Sequence, residues 1–438
     1  MTDTAISDID YDTAVRADFL HFVDDPDRND QACRYIKNGL LLLKQGRVIS
    51  LENFNGELND NTTLYDYSGK LIMPGFIDTH THYPQTEIIA SYGTQLLEWL
   101  EKYTFPTEAK FSDRKFADSI AGFYCDELLR NGTTTAGVFA TVHPESVDAI
   151  FSAAQKRDMC LISGKVMMDR NAPDFICDTA ETSYQQSAEL IQRWHRKGRA
   201  LYAVTPRFAP TSTPAQLEAA GRLVEEFPGV YLQSHVAENH DEVAWVKKLF
   251  PERRSYLDVY DHYGLLGERS VYAHCIHLDQ ADRERMADSG AAMAFCPTSN
   301  LFLGSGLFDL EKAEQENTRV GIATDVGGGT SFSMLQTLNE AYKVCQMAGQ
   351  SLSPLKAFYL ATLGGAKSLY LDGSLGNFDR GKNADFVVLD LQATPLMQQR
   401  MVNADSIADM LFALMILGDD RSVAATHVMG QPRYLKDS

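Results

Sequence analysis

Apolar residues recur along the 438-residue chain in two rhythms. Near the N-terminus they form short runs broken by turn residues. AVRADFLHFVDD reads as a strand, and NGLLLLKQGRVISLENF as a hairpin turning at Gln45-Gly46. GKNADFVVLDL and THVMGQPRYL repeat that style near the C-terminus. Strands at both ends of one chain predict a small sheet domain into which the middle is inserted. The middle alternates short apolar runs with longer amphipathic segments, the βα pattern. Eight runs qualify: 71–82, 133–141, 159–168, 200–211, 230–239, 270–278, 291–300 and 319–330. The segment after the fourth shows the intervening period, with Leu217, Ala220, Leu223, Val224 and Phe227 on one helical face and Pro228-Gly229 as a stop. Eight strand–helix units predict an α/β protein built on a (β/α)8 barrel. The competing doubly wound sheet is disfavoured because no G-x-G-x-x-G follows the first strand. The expected organisation is a β-sandwich formed from 1–73 and 381–438, with the barrel over 74–380.

Polar residues collect where the predicted strands end, and barrel enzymes keep their chemistry there. The first run closes with Asp78-Thr79-His80-Thr81-His82, the fifth with Ser234-His235-Val236-Ala237-Glu238. The sixth carries Ala273-His274-Cys275-Ile276-His277, and the eighth Thr324-Asp325. His80 and His82, two apart on an extended chain, point to the same face. Imidazoles with a carboxylate suit a divalent cation such as zinc. An H-x-H pair by itself is a weak signal, and Asp325 alone could cap a helix starting near Ser331. What carries the metal reading is four such signals at the ends of four strands of one barrel.

Charge and cysteine usage narrow the class. The net charge of −19 repels phosphate backbones and anionic lipid, so neither nucleic acid nor a membrane is an expected partner. No apolar run approaches the roughly 20 residues of a membrane span, and no secretory signal is expected from the acidic start. Seven scattered cysteines without a C-x-x-C argue against a disulfide framework and for a reducing, cytoplasmic setting.

PGFIDTHTHYPQ, followed in order by SHVAEN, AHCIHL and GIATDVGGGT, resembles the amidohydrolase superfamily over nearly the whole chain. Within it, THYPQ (81–85), LLEWLEKYTFPTE (96–108), VMMDRNAPD (166–174) and TPRFAPT (205–211) are similar to the members that deaminate guanine. The resemblance implies a metal-dependent barrel hydrolase that converts guanine to xanthine and ammonia. It assigns His80, His82, His235 and Asp325 to one zinc ion per chain, with iron as the other candidate. It assigns Tyr83, Pro84, Gln85, Arg207 and Phe208 to the purine, alongside the cluster residues His82, His235, Glu238 and Asp325. Binuclear members carry a lysine at the end of the fourth strand; this chain has Thr205-Pro206-Arg207 there, which favours a single ion. Lys165, on the third run, reads as structural or supporting. A homodimer is also implied.

On that assignment Glu238 is the proton carrier between the attacking water and guanine N3, and His274 and Asp325 hold and polarise that water. His277 is the alternative to His274, and His143 a weaker supporting candidate. On residues alone Arg207, between two prolines, reads as a surface loop charge, and Glu238 as a helix first-turn carboxylate. Residues 96–107, with Trp99, Tyr103 and Phe105, read either as a lid or as a packed surface helix. Rival substrates on the same machinery are 8-oxoguanine, triazines and other purines. A metal-free scaffold is opposed by the filled ligand positions. A cytidine-deaminase site is opposed by Cys296-Pro297, which stands in reverse order to the P-C-x-x-C such a site needs.

Overall fold

A computed structural model describes residues 9–56, 58–93 and 95–437. Four strands open the chain: β1 (Thr13–Phe22), β2 (Cys33–Lys44), β3 (Arg47–Asn53) and β4 (Thr63–Pro74). The hairpin between β2 and β3 turns at Gln45 and Gly46, with φ of 51° and 74°. Two consecutive positive φ values match the twist of antiparallel strands, and Gly46 meets that demand without strain.

The chain then enters the barrel through β5 (Phe76–His82), β6 (Thr133–Phe139), β7 (Cys160–Gly164) and a two-residue strand β8 (Val166–Met167). It continues through β9 (Ala200–Pro206), β10 (Tyr231–Val236), β11 (Ser270–His274), β12 (Ala292–Phe295) and β13 (Arg319–Ile322). The parallel order is β13-β12-β11-β10-β9-β7-β6-β5, with β8 pairing β9 outside that path. Every residue of β5, β6 and β7 is buried, as strands covered on both faces must be. The seam between β13 and β5 is closed by Thr79 Oγ1 donating to Ile322 O (3.0 Å) and Asp325 N donating to His80 O (3.0 Å). Asp78 adds a bond from Thr324 N (3.0 Å) and one from the Thr324 hydroxyl. Eight strands thus form a nearly closed barrel, as the βα rhythm predicts.

The last strands, β14 (Phe386–Leu389), β15 (Val423–Val428) and β16 (Gln431–Leu435), return to the first four. Together they form one mixed seven-stranded sheet, β16-β15-β14-β4-β1-β2-β3. Its two faces bury separate apolar clusters, around Val15, Leu41, Leu43 and Ile72 on one side and Ala14, Leu40 and Leu42 on the other. No helix among the described residues is long and apolar enough to cross a membrane.

The helices follow their caps. Arg114–Arg130 starts where Asp113 accepts from Lys115 N (2.8 Å). Pro214–Glu226 starts where Thr213 accepts from Gln216 N (3.3 Å). The helix after β13, Met334–Met347, is capped by Ser333. Asp325 is therefore not its cap.

Candidate active site

The polar strand ends meet over the mouth of the barrel. Alternation along β5 puts Asp78, His80 and His82 on one face, and all three are buried. His82 Nε2 lies 3.1 Å from His80 Nε2 and 3.2 Å from His235 Nε2. Asp325 Oδ1 lies 3.2 Å from His80 Nε2 and 3.3 Å from His82 Nε2. His82 Nε2 thus lies within 3.3 Å of the other three donor atoms. Ligands about 2.0–2.1 Å from a shared cation at tetrahedral angles would stand roughly 3.3–3.4 Å apart, so the set fits a divalent ion. Its charge state fits as well. Burial pushes His82 down to about 3, and burial with the neighbouring imidazoles holds His235 well below the usual range, so both rings are neutral. Burial opposes ionisation of Asp325, but His80, His82 and His274 hold its carboxyl well below the usual carboxylate range.

Neighbouring groups aim the rings. Arg207 O takes a bond from His235 Nδ1 (2.7 Å), and Asn300 Oδ1 one from His274 Nδ1 (2.9 Å). A donating Nδ1 leaves the Nε2 lone pair facing the cluster. Cys296 stands close to His80, His274 and Asp325. Burial raises its thiol well above the ordinary value and Sγ donates to Ala294 O (3.4 Å), so it remains a neutral thiol.

Backbone geometry at three of these strand ends is unusual. Ala237, His274 and Asp325 have φ of 52°, 71° and 49°. Left-handed conformations cost residues other than glycine energy and persist where the surroundings over-determine them. Each interrupts the in–out alternation just where the strand must deliver a side chain to the mouth.

Glu238 follows the first of these turns. Its Oε1 accepts from Ser305 Oγ (2.9 Å), and its Oε2 is 3.3 Å from His274 Nε2. Burial, and then the charge of Asp325, raise its carboxyl to about 8. The next helix, His240–Leu249, is capped by Asn239 and by Glu242, which accepts from Glu238 N (2.9 Å) and Asn239 N (3.2 Å). The helix therefore has its own acidic first turn, and Glu238 faces the cluster instead.

Beyond the histidines lies a pocket lined by His82, Gln85, Leu96, Trp99, Leu100, Arg207, Phe208, His235, Glu238, Glu242, His274, Ser299, Leu303, Asp325 and Gly328. Arg207 is 3% exposed, so the surface-loop reading fails. Its Nη1 donates to both carboxylate oxygens of Glu108, at 3.0 and 2.8 Å. Residues 96–107 are folded into the structure. Leu96, Trp99, Leu100 and Phe105 pack with Ile88, Phe139, Met168 and Phe208 in one apolar cluster that walls the pocket.

Several expected residues lie elsewhere. Tyr83 and Pro84 do not line the pocket. They start a 3₁₀ turn (Tyr83–Ile88), and the Tyr83 hydroxyl donates to Ser146 O (2.6 Å) while its ring packs on Phe111 and Tyr124. Alternation turns Tyr83 outward because His82 takes the inward position. His277 points to Ser305 O (3.0 Å) and stacks on His240, so His274 alone of that pair faces Glu238 and Asp325. Lys165 is buried in an ion pair with Asp178, away from the histidines. His143 precedes the helix Pro144–Gln155 and is likewise outside the cluster. Glu108, Asn300, Ser305 and Glu242 are the supporting residues that sequence reasoning missed. Glu108 closes the 96–108 segment, but nothing local says that it is the residue there that meets Arg207, and nothing marks Asn300 within the short helix Pro297–Phe302 after β12.

Comparison with known proteins adds to this geometry. Residues 71–433 match the amidohydrolase family. The chain is 56% identical over 427 residues to guanine deaminase of Escherichia coli (strain K12), covering 96% of this chain and 97% of that protein. It is 37% identical over 414 residues to guanine deaminase of Dictyostelium discoideum, covering 92% and 91%. The solved structure of E. coli guanine deaminase superposes with a TM-score of 0.95 at 55% identity, over 97% of this chain and 100% of that one. Guanine deaminase from C. acetobutylicum, solved with guanine bound in its active site, superposes with a TM-score of 0.86 at 28% identity, over 96% and 100%.

Proposed function

We propose, from the premise that this chain belongs to the amidohydrolase family and within it to the guanine deaminases, that it hydrolyses guanine to xanthine and ammonia. The observation that carries the reading is one pocket holding both a converged His80–His82–His235–Asp325 set and a buried donor fork, Arg207, beside an amide, Gln85. The cation these four residues would hold, one zinc ion by the donor set with iron an equal chemical match, supplies Lewis acidity and a water acidic enough to attack near neutral pH. The absence of a lysine at the end of β9 and the pairing of Lys165 with Asp178 support one ion rather than two.

The chain's own groups then divide the work. Arg207 donates to O6 of guanine and Gln85 meets the adjacent ring edge, which turns C2 toward Glu238 and Asp325. Phe208 and Trp99 supply apolar walls that exclude bulk water. Glu238, whose carboxyl burial raises to about 8, gives its proton to N3, so that C2 becomes electrophilic, and then takes one from the attacking water as oxygen adds to C2. Ser305 keeps that carboxyl aimed. His274, its Nδ1 held by Asn300, hydrogen-bonds the incoming water together with Asp325. Asp325 passes the second water proton to the amine. The C2–N bond breaks, ammonia departs, and C2 keeps oxygen as the carbonyl of xanthine.

Seven free cysteines suit a reducing compartment. The full reading is thus a cytoplasmic enzyme of purine breakdown, acting as a homodimer by family resemblance. The test is ammonia release by metal-loaded protein from guanine, adenine, cytosine, 8-oxoguanine and an aminotriazine, with metal content measured on the same sample. Guanine should give the highest kcat/KM with about one metal per chain. A tenfold or greater advantage for any other compound, about ten being the smallest clear preference, overturns the assignment.

A further inference from the structure

We propose that Glu108 is the positioning residue that sets specificity for a carbonyl-beside-N–H edge, by fixing the orientation of both Arg207 and Gln85; the inference rests on the guanine reading above. Glu108 is 1% exposed and closes the segment that walls the pocket. Both of its bonds from Arg207 come from Nη1, which leaves the rest of the fork without a protein acceptor among the described residues. The ring of Phe105 lies 5.7 Å from the guanidinium carbon and backs it from one side. Burying this pair costs desolvation on both partners, so it is a poor device for stability alone.

The second contact makes the inference specific. Gln85 Nε2 donates to Glu108 Oε1 at 3.4 Å. A carboxylate only accepts, so it decides which end of the Gln85 amide faces it: the NH₂ must turn to Glu108 and the carbonyl oxygen away. Gly327 leaves room for that oxygen, since a Cβ there would stand 1.9 Å from Gln85 Oε1. One carboxylate therefore presents a donor from Arg207 next to an acceptor from Gln85. That pair matches a ring carbonyl next to an N–H. It mismatches a 6-amino purine, which offers a donor next to a bare nitrogen, and buried mismatches are heavily penalised.

The discriminating compound is 2,6-diaminopurine, which keeps the reacting C2 amine and changes only the recognised edge. In Glu108→Gln the amide can donate as well as accept, so Gln85 is free to flip and Arg207 loses its anchor. The expected result is a guanine KM raised roughly 30-fold with kcat changed less than about threefold, and a guanine-to-2,6-diaminopurine kcat/KM ratio lowered at least about tenfold. Hypoxanthine carries the same edge with no amine to lose, so its binding by calorimetry should weaken in parallel without any turnover. Glu108→Asp, which keeps the charge and retracts it by one methylene, should fall between; it carries the test if Glu108→Gln does not fold. An unchanged ratio with unchanged hypoxanthine affinity, or equal losses on both substrates through kcat, overturns the proposal. A wild-type protein that ignores guanine but binds hypoxanthine would remove the guanine reading and leave this one standing.

Discussion

A carboxyl poised to carry protons must be held away from water and kept from simply pairing with a cation. Glu238 meets both conditions, being 3% exposed with a hydroxyl, Ser305, and an imidazole, His274, as its contacts. Replacing it by glutamine preserves shape and hydrogen bonding but removes the exchangeable proton. Glu238→Gln should keep its metal and lose about a thousandfold in kcat, read by steady-state kinetics with elemental analysis. His82→Ala removes one of four converged donors and should release the metal, seen as a metal-to-protein ratio near zero. A variant of Glu238 with full turnover, or of His82 with full metal content, would require other residues for those roles.

Three of the loops after the barrel strands begin with a backbone the strand cannot continue, at Ala237, His274 and Asp325. The glycine run 327–329 after β13 is the clearest case. Gly327 has φ of 116°, outside the range an L side chain accepts, and a Cβ there would strike Gln85. Gly327→Ala should destabilise the fold by roughly 1–3 kcal/mol and raise the guanine KM through displacement of Gln85, with denaturant melts and kinetics as the readouts. An alanine variant with native KM would detach this loop from substrate binding. The 96–108 segment behaves as an element in the same sense. Its apolar residues wall the pocket and its last residue, Glu108, anchors Arg207, so both halves of the segment serve one site.

At the scale of the molecule, the barrel and the terminal sheet are joined by polar contacts as well as by apolar packing. Arg199, just before β9, pairs with Asp385, just before β14, through two bonds, one of them 3.1 Å from Nη1 to Oδ1. The aspartate also accepts from Met429 N (2.9 Å) and is 3% exposed. Arg199→Ala strands a buried carboxylate at this junction. A loss of about 3 kcal/mol in urea unfolding is expected, with kcat for guanine unchanged because the pair lies far from the mouth along β9. A fall in kcat without a fall in stability would tie the terminal sheet to the chemistry instead.

The sequence by itself determined the barrel, the sheet drawn from both termini, and the placing of His80, His82, His235 and Asp325 at the ends of its strands, while the roles of His274 and Glu238 came from family resemblance. The reason is periodicity: period-two strands and 3.6-residue helices state which residues end each strand, and barrel closure brings those ends together. Choices that depend on side-chain direction across distant elements were left to the tertiary structure. Only there does His274 part from His277, Tyr83 turn outward beside an inward His82, and Arg207 prove buried. The Glu108–Arg207 pair spans 99 residues of chain, and no local pattern can announce a partner that only folding brings within hydrogen-bond reach.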